Sequence, residues 1–156
     1  ETLRTAITIM EKLGKTSFWI DIGSLKIWED LCAGIKNLRK EVFEAVKSQN
    51  FSPIFEMNIP EKIKKNILET LKLRTQKPAI PSIWELMKEI DDERVWFDAS
   101  FINQKEYYTD LVFNLFSTDS TLMLATGGVY KTKTSWGCGM SFSLENLFRL
   151  IGGDIL

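Results

Sequence analysis

Apolar side chains recur at helical spacing through most of the first half of the chain. In an amphipathic helix, such side chains lie three or four residues apart and form one buried face. Gly14 is a natural helix stop, and Pro60 suits a first helical turn. The spacing predicts helices over residues 6–13, 25–32, 36–47, 63–71 and 83–90. Residues 51–57 show no period that assigns them.

Strands are predicted where apolar and polar residues alternate with a period of two. One such run lies early, at residues 18–22, and the remainder follow Arg94. Connections between consecutive late strands are too short for a crossover helix, so these strands must pair largely antiparallel. The late runs cover residues 95–101, 107–116, 121–126 and 137–144, with a helix at 147–151. The fold predicted is therefore α+β, an antiparallel β-sheet with flanking helices on one face.

Composition removes several kinds of chemistry. The 156 residues contain no histidine, which excludes Ser-His-Asp and Cys-His catalysis and the commonest zinc ligand. Cys32 and Cys138 have no C-x-x-C spacing, so we predict no metal site and no disulfide framework, as in a reduced, cytoplasmic compartment. No apolar run is long enough to predict a membrane span. The length fits one domain, residues 1–156.

Charge gives little reason to expect a nucleic-acid partner. The formal net charge is −1, so no overall field attracts a polyanion. The helix predicted after Pro60 is basic, but no aromatic side chains alternate with its charges as in single-strand binding surfaces. We interpret these residues as a solvated helix face: Lys62, Lys64, Lys65, Lys72, Arg74 and Lys77.

No segment carries a complete catalytic signature. Gly127-Gly128 lacks the spacing of a phosphate-binding loop, and a turn or a close backbone approach explains it better. Asp98 on an apolar strand could bind a cation in a cavity, or it could simply be solvated. One phenol of Tyr107-Tyr108 could line a pocket, although aromatic residues packed for stability are as common.

Four segments in fixed order carry a family resemblance: 95–103 (VWFDASFIN), 106–113 (EYYTDLVF), 124–130 (LATGGVY) and 137–147 (GCGMSFSLENL). Together they resemble the second half of the catalytic core of histidyl-tRNA synthetase, a class II synthetase. Residues 6–34 resemble the helix and strand that follow motif 2 in that family, with Ser24 where the family has histidine. The resemblance implies that residues of about 36–78 are a reduced form of the family's helical insertion, and that the chain is about half of a core.

The departures from the family concern its arginines. The synthetase uses guanidinium groups to hold ATP phosphates and to stabilise the adenylation transition state. At the positions of three family arginines, this chain has Asn103, Val129 and Asn146. An amide or a valine cannot replace a guanidinium fork against a phosphate. The motif 2 arginine would lie upstream of Glu1. The resemblance therefore implies no catalytic residues.

This combination is similar to the regulatory subunit of ATP phosphoribosyltransferase in histidine biosynthesis, a catalytically inactive paralogue of the synthetase. The implied partner is the catalytic subunit of that enzyme, with histidine as a candidate ligand and no cofactor. The implied histidine-binding candidates are Tyr107 and Tyr108, with Gly127 and Gly128 at the pocket floor. Two further departures lie beside them, because Glu106 stands where the family has Asp and Asp110 where it has Gly.

Two alternatives remain open at the level of the sequence. The chain could be a fragment of a divergent histidine–tRNA ligase, which predicts histidine-dependent pyrophosphate exchange. It could also be a pseudo-synthetase with a scaffolding role. In each case half of a core would leave a sheet edge to be covered, so we expect a homo- or hetero-oligomer, or association with a further segment. The near-zero net charge favours a protein partner over tRNA.

Overall fold

Seven α-helices and six β-strands make up the parts of the chain that the computed structural model describes, residues 1–102 and 107–152. A 3₁₀ segment, Ala33–Leu38, joins the second and third helices. The predicted α+β class is confirmed. The elements are α1 (Thr2–Lys12), β1 (Phe18–Ser24), α2 (Leu25–Leu31), α3 (Arg39–Lys47), α4 (Ser52–Glu56), α5 (Glu61–Thr70), β2 (Arg74–Thr75), α6 (Pro81–Ile90), β3 (Val95–Asp98), β4 (Tyr108–Ser117), β5 (Met123–Lys131), β6 (Trp136–Phe142) and α7 (Leu144–Leu150).

The strands form one sheet in the order β2-β3-β1-β4-β5-β6. The pairs β4–β5 and β5–β6 are antiparallel, as the short connections between these late strands predicted. The pair β1–β4, which no short connection joins, is also antiparallel. The pair β1–β3 is parallel, with Ile20 beside Val95. A parallel pair requires a long crossover, and the helices between Ser24 and Val95 provide one.

Alternation along the strands gives the sheet two different faces. The covered face carries the main core, where Ile20, Ile22, Phe97 and Leu115 are almost completely buried beneath α1 and α6, with α7 packed alongside. Burying such side chains stabilises a fold by about 1.5–3 kcal/mol each. The other side, here called the open face, carries partly exposed side chains. They include Trp19, Trp96, Asn114, Phe116 and Thr126.

The helices between β1 and β2 form a second apolar core of their own. Trp28, Cys32, Ile54 and Ile67 are fully buried within it. The Nε1 of Trp28 donates a hydrogen bond of 2.7 Å to the carbonyl oxygen of Ala99, just beyond β3. This buried bond anchors the helical unit to the sheet. The unit includes α4, in the stretch that no sequence period assigned.

Several predicted boundaries are wrong. The predicted helix at 36–47 begins at Arg39, because residues before it are 3₁₀. Helix α5 ends at Thr70, and Arg74 lies on β2 rather than on a helix face. The strand predicted to end before Gly127-Gly128 continues through both glycines to Lys131. Strand β3 ends at Asp98. Across the two described ranges, no helix has the length and apolar character needed to cross a membrane.

Candidate functional site

Three tyrosines and three glycines lie together on the open face and form what we call the tyrosine–glycine cluster. Tyr108 on β4 is directly opposite Tyr130 on β5. A Cβ on Gly128 would lie 2.7 Å from the Tyr108 ring, and one on Gly137 would lie 2.6 Å from the Tyr130 ring. Real Cβ atoms do not approach so closely, so the glycines make room for the rings. The cluster consists of Tyr107, Tyr108, Tyr130, Gly128, Gly137 and Gly139.

The structure therefore brings together most of the residues that the resemblance implied for a histidine pocket. Tyr107 is 57% exposed and its ring centroid lies 4.5 Å from that of the buried Tyr108. Gly128 lies beneath Tyr108. Gly127 belongs to the opposite, covered face, where a Cβ would meet the Phe113 ring at 2.4 Å. A ligand above Gly128 would have to displace the Tyr108 ring.

The electrostatics of the cluster keep the phenol of Tyr108 neutral. Burial, followed by a hydrogen bond with Tyr107, raises the pKa of Tyr108 well above its ordinary value. A phenol so far from ionisation at neutral pH is a poor general base. The cluster offers aromatic surface and a hydroxyl group. These features suit binding rather than proton transfer.

The positions of the family arginines hold no positive charge in the described part of the chain. Val129 lies on β5 and lines an apolar cavity of about 360 Å³ between the sheet and α1 and α6. Asn146 lies on α7, where its amide nitrogen donates to the Met123 carbonyl oxygen at 2.8 Å. The third position, Asn103, lies outside the described residues. Asn146 thus makes a structural hydrogen bond, and Val129 contributes to the wall of an apolar cavity.

All five arginines of the chain are ion-paired. Arg39 pairs with Glu29, Arg94 with Asp92 and Glu11, and Arg149 with Glu145, within 2.7 Å in each case. The remaining pairs are Arg4 with Glu89 and Arg74 with Asp21. None of these ion pairs involves a residue of the tyrosine–glycine cluster.

Two other departures from the family contact each other. Ser24, which stands where the family has histidine, is buried at the end of β1. Its hydroxyl donates to a carboxylate oxygen of Asp110 on β4 at 3.2 Å. Asp110 stands where the family has glycine. The two substitutions therefore form one polar contact, and each gives the other a partner.

Sequence reasoning missed an ion pair at the other end of the open face. Arg74 donates to Oδ1 of Asp21 from Nε at 3.1 Å and from Nη2 at 2.8 Å. Burial raises the pKa of Asp21, while hydrogen bonds from Trp19 and Arg74 act in the opposite direction. Asp98 lies 3.9 Å from Arg74 and accepts from the Ser100 hydroxyl. The only sequence signal was Asp21 in an otherwise apolar strand.

No group of three or more Cys, Asp or Glu residues within 1–102 and 107–152 is arranged to hold a metal ion. The sheet, its crossover and the tyrosine–glycine cluster together define the class: a core like that of the class II synthetases, without positive charge at two of the family arginine positions.

Comparisons with known proteins confirm the resemblance that the sequence predicted. The chain is 25% identical, over 152 residues, to the ATP phosphoribosyltransferase regulatory subunit of Lactococcus lactis subsp. lactis (strain IL1403), covering 83% of this chain and 46% of that protein. No protein-family model matches. The chain thus spans about half the length of the curated relative it matches.

Solved structures show the same fold. An ATP phosphoribosyltransferase regulatory subunit/histidyl-tRNA synthetase from Bacillus halodurans matches with a TM-score of 0.85 and 17% identity, over 97% of this chain and 49% of that one. The ATP phosphoribosyl transferase (HisG:HisZ) complex from Thermotoga maritima matches with a TM-score of 0.71 and 21% identity, over 90% and 58%. The TM-scores establish the fold of the chain. At such low sequence identities, the matches do not establish its function.

Proposed function

We propose that this chain is part of a non-catalytic regulatory subunit of a cytoplasmic ATP phosphoribosyltransferase. The curated relative carries that name, and one structural neighbour is a complex of the enzyme. Its partner would be the catalytic subunit. The helical unit, with α3 to α5, would be a reduced form of the insertion found in the synthetases.

One observation carries the non-catalytic part of this proposal. Each of the five guanidinium groups is ion-paired within the chain, and Val129 and Asn146 leave two family arginine positions uncharged. Adenylation places negative charge on phosphates in the transition state, and preorganised positive charge is what stabilises it. A site without free arginines lacks this stabilisation.

The test is reconstitution with a short-form ATP phosphoribosyltransferase catalytic subunit. The polypeptide that contains this chain is co-expressed with that subunit, and the complex is measured by size-exclusion chromatography with light scattering. We expect co-elution and a higher phosphoribosyl-transfer rate than for the catalytic subunit alone. Absence of both a complex and a rate change would contradict the proposal.

The same preparation separates the regulatory role from a ligase. Histidine-dependent exchange of pyrophosphate into ATP reports adenylation directly, and we expect none above the rate without histidine. Exchange that depends on histidine would instead support the fragment of a histidine–tRNA ligase. If the preparation shows neither activation of the catalytic subunit nor histidine-dependent exchange, the result would support the scaffolding role.

We also propose that histidine binds at the tyrosine–glycine cluster. The exposed ring of Tyr107 and the hydroxyl group of Tyr108 provide a stacking surface and a hydrogen-bonding group. Isothermal titration with L-histidine tests the site, with Tyr107→Ala expected to weaken binding at least about tenfold through loss of stacking area. Trp136→Leu, on exposed β6, is a matched aromatic control and should bind as the wild type does.

A further inference from the structure

A second cleft on the open face lies away from the tyrosine–glycine cluster. Its lining residues are Trp19 and Asp21 on β1, Arg74 on β2 and Trp96 on β3, around a volume of about 450 Å³. Asp21 is directly beside Trp96 in the parallel register and two residues from Trp19. The carboxylate therefore lies at the base of the cleft, and the two indoles lie on either side.

The cleft already holds a planar cation, which is the guanidinium of Arg74. Its carbon lies 4.6 Å from the centre of the Trp96 ring, within cation–π distance, and its nitrogens donate to Asp21. Trp19 donates its indole N–H to the other Asp21 oxygen at 2.9 Å, and its ring stacks on Phe116. The contacts of the Arg74 side chain thus show that the cleft accommodates a planar cation.

Charge favours a cation over an anion. The charged groups Asp21, Asp98 and Arg74 sum to −1, so a bound cation would neutralise the cleft. Asn114, directly opposite Asp21 on β4, has a buried side-chain oxygen without a hydrogen-bond partner among the described residues. Buried acceptors without partners are rare in native proteins. Asn114 does not itself line the cleft, so the charge of the cleft carries the preference for a cation.

Arg74 occupies the cleft from the margin of the fold. It lies on a two-residue strand at the sheet edge, and 42% of its side chain is exposed. A ligand that brings its own planar cation would make the same contacts with Asp21 and Trp96 in exchange for those of Arg74. We propose that this cleft binds a planar nitrogenous cation, of the guanidinium or imidazolium class, and that Arg74 is its built-in competitor. This proposal is independent of the proposed regulatory function.

The experiment compares two probes that differ in charge and little in shape. L-arginine carries a guanidinium, and L-citrulline carries the neutral urea in the same place. Binding is followed by tryptophan fluorescence and by isothermal titration on the purified chain. We expect arginine to bind at least about tenfold more tightly than citrulline, since cation–π and charge-assisted contacts require the charge.

Variants locate the binding. Trp96→Leu should lose at least about tenfold in arginine affinity, and Trp136→Leu, on distant β6, should lose none. Arg74→Gln removes the internal competitor and should bind arginine more tightly than the wild type does. L-histidine, titrated below and above the pKa of its imidazole, distinguishes the imidazolium from the guanidinium.

The proposal fails if arginine and citrulline bind equally, or if arginine binds neither the wild type nor Arg74→Gln. It also fails if Trp136→Leu weakens binding as much as Trp96→Leu does. Should Arg74→Gln not fold, Arg74→Lys retains a charge for Asp21 without the planar fork. Arginine affinity for that variant should still exceed the wild-type value, and an unchanged value would contradict the role of Arg74.

Discussion

Gly128 lies where the open face has no room for a side chain. A Cβ there would lie 2.7 Å from the Tyr108 ring and 2.8 Å from the Leu111 carbonyl oxygen. The ring could rotate, but the backbone oxygen belongs to β4 and can move only with the sheet. The position therefore requires glycine for close approach, although its φ is not in the left-handed region.

We predict that Gly128→Ala destabilises the chain by about 1–3 kcal/mol, as overpacking does in a core. Urea unfolding monitored by circular dichroism measures the difference. Gly34→Ala is the control, because its Cβ would meet only the end of the Ile63 side chain, at 3.1 Å. Equal losses for both variants would show that the close approach at Gly128 is not the cause.

A second prediction at this scale concerns Asp92. The hydrogen bonds from the Arg94 side chain, the largest effect, hold the pKa of Asp92 below its ordinary value. A lowered folded pKa contributes stability that is present above the unfolded value and is lost as the pH falls through the folded value. Arg94 also reaches Glu11 on α1, at 2.7 Å, so the pair joins α1 to the start of β3.

We therefore expect Asp92→Asn to cost about 1 kcal/mol at neutral pH, because the pair is partly screened by solvent. The difference from the wild type should shrink as the pH falls through the acid range. Denaturant unfolding at a series of pH values measures it. Glu85→Gln, which removes an exposed pair with Lys88, should change little. A gap that widens in acid would contradict the argument.

At the scale of elements, the hydrogen bond from Trp28 couples the helical unit to the sheet. We predict that Trp28→Phe costs about 1–3 kcal/mol from the unpaired Ala99 carbonyl alone, with a further loss from the cavity. Thermal unfolding measures the cost. Trp84→Phe is the control, since Trp84 is only half-buried on α6 and Lys88 lies over its ring. An equal loss of stability for Trp84→Phe would show that the hydrogen bond of Trp28 is not the cause.

The elements also show which parts of the fold the periodicity of the sequence can predict. The apolar stripes predicted α1, α2, α5 and α6 within a few residues, because amphipathic spacing reports burial on one side. Strand β2 has two residues and no period of its own, so only pairing with β3 creates it. Gly127-Gly128 reads as a strand end, yet β5 continues because neighbours on both sides supply its hydrogen bonds.

For the whole molecule, the most consequential feature is the outer edge of β6, with which no other strand pairs within residues 1–102 and 107–152. This strand is outermost in the sheet, and its seven residues include no charge and no proline. Such an edge is a template for pairing with another strand. Helix α7 follows it directly and has exposed apolar side chains. They are Leu144, Phe148 and Ile151.

We predict that the purified chain self-associates and that Phe148→Glu reduces this association. A charge in an apolar contact must be desolvated without a partner, which opposes binding. Light scattering over a concentration series measures the change. Phe55→Glu makes the same substitution on another exposed phenylalanine, on α4, and should leave association unchanged. A wild-type chain that stays monomeric at high concentration would contradict the prediction.

The sequence by itself determined the α+β class, most helices and the resemblance to a synthetase core, since these depend on local period and on motifs in order. It also indicated Tyr107, Tyr108 and Gly128 as neighbours. Only the tertiary structure decided the parallel pairing of β1 with β3, the side of the sheet that Gly127 faces, and the contact of Arg74 with Asp21. These features join residues far apart in the chain. Their geometry is set by sheet register, which local sequence does not encode.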